Sequence, residues 1–159
     1  MFFKLYERLG RVELALAKYC LIILCALVFL SAAARTLGHP MSWTVDMATF
    51  LFAWSVFMGA DAAMRRDMLI SIDLVVERFS EKMQLNIKIM NHIIIAVFLV
   101  AMVFYGFILS YTTYHRSFSG LPWLSYTWVT ISVPLGCLLM LMTTFLKTKE
   151  LIAKRRMMK

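Results

Sequence analysis

Four apolar runs, at about 19–37, 44–64, 86–111 and 124–146, occupy more than half of the 159 residues. Each approaches or passes the roughly 20 residues that a helix needs to cross the hydrocarbon of a bilayer. Lipid offers no partner for a backbone N–H or C=O, so such runs must satisfy themselves as helices, and the alternating pattern of a barrel strand is absent. The chain is therefore expected to be an all-α integral membrane protein with four transmembrane helices. Its composition agrees: 62% of residues are hydrophobic and the mean hydropathy is +0.77, far above the usual soluble domain.

Charge placement supplies the topology. The net charge of +8 would suit a nucleic-acid binder, but fifteen of the 17 Lys and Arg residues lie before span one, after span four, or around the loop between spans two and three. Only Arg35 and Arg116 lie on the opposite side. That asymmetry predicts both termini on the cytoplasmic side of the membrane, with the basic groups meeting anionic phospholipid instead of nucleic acid. Residues 1–18 carry charges every few positions and lack the apolar core and cleavage site of a signal peptide, so span one is expected to persist in the mature protein.

Two further segments have helical periodicity. Phe2, Leu5, Leu9, Val12 and Leu16 share a face, which predicts an interfacial helix over about 2–18 feeding span one. Ile72, Val75, Val76, Phe79 and Met83 share another, which predicts an interfacial helix over about 68–84. Arg66, Arg78 and Lys82 are the expected headgroup contacts of that inner side, with Trp123 and Trp128 in the aromatic belt of the outer one. Between spans one and two, GHPMS at 38–42 has turn chemistry, with Gly38 ending one helix and Ser42 expected to cap the next. The whole is expected to be a single membrane domain.

Chemistry is sparse. His39, His92 and His115 fall in separate segments with no Cys or carboxylate at ligand spacing, and no nucleophile, phosphate loop or paired acid and base is recognisable. Neither an enzyme nor a metal or other cofactor is expected. Cys20, Cys25 and Cys137 lie inside spans and read as small apolar residues. Span two, WTVDMATFLFAWSVFMGADAAMRRD, is the most informative stretch because it holds two carboxylates. Asp46 and Asp61 are 15 positions apart, about 22 Å along a helix, so they cannot share an ion. Asp46 reads as a helix-start carboxylate or an anchor to a partner, with Arg35 either snorkelling to headgroups or meeting Asp46 across the short loop. Asp61 and Arg65, four residues apart, are expected to pair at the inner surface. Ser55, Gly59 and Ala63 form a small-residue stripe expected to pack closely on a neighbouring helix of this chain, leaving the aromatic and charged face of Trp54 and Asp61 for lipid or a second protein.

The order of these features resembles the small membrane subunit, DctQ-like, of tripartite ATP-independent periplasmic (TRAP) transporters. In that family span one commonly ends in an arginine, as at Arg35, and a proline or tryptophan leads to an acidic residue opening span two. WTVDMATFLFAWSVFMGA is similar, with Trp43, Asp46, Trp54 and Gly59 at matching places. Arg65 and Arg66 followed by ISIDLV, with Asp73, match the family's amphipathic acidic segment, and Pro122, Pro134 and Gly136 match a proline before span four and a Pro-x-Gly within it. The chain departs in having Asp46 for the usual Glu, Leu69 for a frequent His, and Asp61 where a small residue is usual. The resemblance implies a scaffold subunit for a large membrane subunit that carries the substrate and sodium sites and moves in elevator fashion. It also implies a soluble periplasmic binding protein that delivers an organic acid such as a dicarboxylate or sialic acid. The alternative, a self-contained homo-oligomeric transporter or channel, is poorly served by a chain whose spans one and three have no central carboxylate.

Overall fold

The computed structural model describes residues 2–66 and 80–157. Within them lie five helices: α1, Phe2–Thr36; α2, Ser42–Arg65; α3, Glu81–Thr112; α4, a single turn at Thr127–Thr130; and α5, Ser132–Met157. Four of these stretches are long and apolar enough to cross a membrane, the last running through α4 into α5. The expected four spans are thus present as helices. Most of the interfacial helix expected over 68–84, including Asp73 and Arg78, lies outside the described residues, as does the side chain of Lys82.

The segment read as a separate helix over 2–18 is the first half of α1, which continues without a break for 35 residues, about 52 Å. Gly10 costs only about 1 kcal/mol in a helix interior and no proline follows, so nothing stops propagation. Leu9, Val12 and Leu16 point away from the protein while Glu13 and Ala17 are buried.

Gly38 ends α1 with φ of +79°, a left-handed conformation that suits glycine. The His39 amide donates to the Ala34 carbonyl at 3.0 Å and the Gly38 amide to Arg35 at 3.2 Å, the paired bonds of a Schellman ending. At the start of α2 the expected Ser42 cap is displaced by one residue. Met41 is the N-cap without a side-chain cap bond, and the hydroxyl of the fully buried Thr44 donates to the Met41 carbonyl at 2.7 Å.

The break at Ile131 has a covalent cause. Pro134 has no N–H to donate to Thr130, so the helix is interrupted just before it. Thr113 and Thr130 hydroxyls, 3.1 Å apart, tie this joint to the end of α3.

α1 packs along α2, α3 along α5, and α2 meets α5, so the two hairpins join through their second helices. The spanning stretch through α5 is 44% buried and that of α1 only 6%. α2 and α5 therefore form the centre, while α1 and α3 present apolar flanks.

Candidate functional site

The seam between α2 and α5 is fastened at both ends. At the Arg65 end of α2, Asp61 is completely buried. Its Oδ2 accepts a hydrogen bond from Arg65 Nε at 2.6 Å, across one helical turn, and its Oδ1 accepts one from Thr143 Oγ1 of α5 at 2.7 Å. Arg65 then lies across Gly10 of α1, where an added Cβ would come within 3.2 Å of its side chain. It reaches Glu13 with Nη2 at 3.0 Å from Oε2. One acid, one guanidinium, one hydroxyl and a second acid thus connect three helices.

Burying a lone carboxylate in an apolar setting is prohibitive, whereas each partner here offsets that cost. Asp61 and Arg65 lie within hydrogen-bond distance of each other, in a buried setting and not at an exposed surface. The charged side of α2 is an internal surface, closed over by α1 and α5, because the acid has two internal partners that water would otherwise have to replace. Beside it, the fully buried Thr144 bonds to the Met140 carbonyl at 2.8 Å and sits 3.7 Å from the Met64 sulfur.

In the middle, Gly136 allows the closest approach. A Cβ there would collide with Phe57 Cβ, so α2 and α5 touch where only a hydrogen fits. Two residues earlier Pro134, also fully buried, rests against Gly106 of α3, whose added Cβ would meet the ring at 3.0 Å. The Pro-x-Gly of span four thus packs on two helices at once.

At the Trp43 end of α2, the loop between α3 and α4 folds over that helix. Phe118, Leu121 and Val129 form a buried cluster with Met47, Phe50 and Ala53. Asp46 Oδ2 accepts from the Gly120 amide at 2.7 Å. Gly120 is pressed so closely on the start of α2 that a Cβ would lie 2.6 Å from the Trp43 backbone nitrogen. One turn deeper than Phe50, Trp54 donates its indole N–H to the Trp128 carbonyl at 3.2 Å. Asp46 and Trp54 therefore anchor segments of their own chain. Arg35 is exposed and makes no ion pair with Asp46.

The small-residue stripe is split. Ser55 is buried, bonding to the Phe52 carbonyl at 2.9 Å, and Ala63 is half-buried. Gly59 has nothing within 4 Å of an added Cβ. The expectation of close intrachain packing at Gly59 is thus corrected: α5 and α1 lie around the Asp61 side of α2, drawn there by polar partners, and Gly59 faces open space. Arg66 is exposed at the end of α2, as are Trp123 in the loop between α3 and α4 and Trp128 in α4.

Glu13 and Thr143 are the site residues that sequence reasoning missed. Thr143 carries no local signal, being 82 positions from Asp61. Glu13 did carry one: Gly10 and Ala17 bracket it on the same helix face, a recess with an acid at its centre. No group of three or more His, Cys, Asp or Glu able to hold a metal ion occurs among the described residues. The cluster can hold helices together but offers no reacting centre exposed to a substrate.

A family model described as "Tripartite ATP-independent periplasmic transporters, DctQ component" matches residues 24–154. No curated protein matches the chain.

Proposed function

The chain belongs to the DctQ family, the small membrane component of TRAP transporters, and on that premise we propose that it is a static scaffold beside the large membrane subunit. The family implies association with that subunit and with a binding protein, and it is a family of transporter components. In our reading the large subunit carries the substrate and sodium sites, and its moving part slides against a frame that this chain widens. The substrate is an organic acid such as a dicarboxylate or sialic acid. The chain sits in the bacterial inner membrane with both termini in the cytoplasm and its basic ends against phospholipid headgroups, as the charge asymmetry favours.

The observation that carries this reading is the seam of α2 and α5. Its polar side chains are engaged with one another at one end and with backbone groups of the loop and α4 at the other, and glycine contacts close its middle. A seam so fastened resists sliding, which suits a frame. Outside it, α1 and α3 offer long apolar surfaces, with Ile22, Phe29, Val97 and Phe104 exposed, for lipid and a membrane partner.

Proteoliposomes holding the large subunit, with binding protein and substrate outside and an inward sodium gradient, test the proposal. Uptake is expected only when this chain is co-reconstituted; full uptake without it would refute the scaffold role. Sustained selective flux through the purified chain alone would establish the homo-oligomeric transporter instead.

A further inference from the structure

We propose that the groove between α1 and α2 holds one anionic glycerophospholipid, with its phosphodiester on Arg35 and an acyl chain along the helices. The groove, about 600 Å³, is walled by Leu24, Val28 and Ala32 of α1 and by Val45, Ala48 and Phe52 of α2, with Arg35 on its rim. Two of its three hydroxyls are taken up by the backbone. Thr49 donates to the Val45 carbonyl at 2.9 Å and Thr36 to the Ala33 carbonyl at 2.7 Å, so that, Ser31 apart, the wall is apolar.

Length and charge decide the occupant. From Leu24 to Arg35 the groove runs about 16 Å along α1, about half of the roughly 30 Å hydrocarbon thickness. That is the depth of one leaflet, ending at the α1–α2 turn where headgroups lie. Among the described residues no carboxylate pairs with Arg35, and the nearby Asp46 is engaged by the Gly120 amide. Arg116, the other basic residue of this side, lies over the Tyr126 ring at 5.9 Å. Arg35 is thus a guanidinium without an acid, beside an acyl-length apolar trough, and a phosphodiester matches its fork of donors.

The inference does not depend on the transporter reading, because it concerns the chain by itself. The full-length chain, reconstituted in bilayers of equal phosphatidylglycerol and phosphatidylcholine, would be released into mild detergent and weighed by native mass spectrometry. One retained lipid is expected, with phosphatidylglycerol enriched about tenfold over the bulk ratio by the charge-assisted contact. Arg35→Gln should bring that enrichment to about parity, and Ala32→Leu, which fills the trough, should remove the retained lipid; unchanged melting temperatures would show that both variants fold. Absence of retained lipid from the wild type, or enrichment that survives Arg35→Gln, would overturn the proposal. So would a large subunit that binds the wild type but not Arg35→Gln while lipid retention is the same, since Arg35 would then answer to a protein acid.

Discussion

The two ends of the α2–α5 seam are fastened by different physics. The end near Arg65 is a chain of charged and hydroxyl groups, Glu13, Arg65, Asp61 and Thr143, in which every link crosses to another helix or another turn. The end near Asp46 is an apolar cluster under a folded loop, trimmed by single bonds from Asp46 and Trp54 to backbone groups. The difference teaches where specificity resides. An apolar cluster tolerates exchange of one aliphatic group for another, whereas a buried ionic chain fails when one member is removed.

The largest effect should follow Arg65→Leu. It leaves two buried acids, Asp61 and Glu13, without the cation they share, at a cost of about 3–5 kcal/mol, readable as a fall in melting temperature and in recovered complex. Replacing Glu13, Asp61 and Arg65 together by apolar residues should restore much of the loss. If the single and triple variants melt alike, the cluster is not what fastens this end of the seam. Gly120→Ala comes next, because the new methyl meets the backbone of Trp43 and Ser42 and lifts the loop at about 1–3 kcal/mol. Faster proteolysis of the 113–126 loop would report it. Asp46→Ala leaves the Gly120 amide without its acceptor, for about 1–2 kcal/mol, while Asp46→Asn, which keeps a carbonyl oxygen, should cost less. Equal loss in the two would place the importance of Asp46 in its charge and not in the bond. Smallest is Gly59→Ala, within about 0.5 kcal/mol of wild type in the isolated chain, as its methyl enters open space. A marked drop in melting temperature would show a neighbour at Gly59.

The features legible in the sequence are those set by local rules. Runs of apolar residues specify the four spanning stretches and Gly38 the end of α1, while the break that Pro134 makes at Ile131 was not foreseen. Asp61 and Arg65 meet because four residues make one helical turn. What depends on which faces come together was not legible. Thr143 is one hydroxyl among several in α5, and only the three-dimensional seam sets it against Asp61. A small-residue stripe looked like the packing face of α2, yet the close contacts fall at Gly136 and Gly120, with Gly59 outside them. Small size permits close approach without causing it. The partners of Asp61 determined which side of α2 turned inward. Asp46 shows the intermediate case: its place at a helix start was readable, while the Gly120 amide it holds comes from a loop 74 positions away.

The account rests on the seam staying closed while transport proceeds. Spin labels at Val56 on α2 and Phe145 on α5, both exposed, would report the distance between these helices in the assembled transporter. Pulsed electron spin resonance would compare sodium with substrate against neither. The account predicts one unchanged distance distribution in the two conditions, and a shift or a second population on adding sodium and substrate would contradict it.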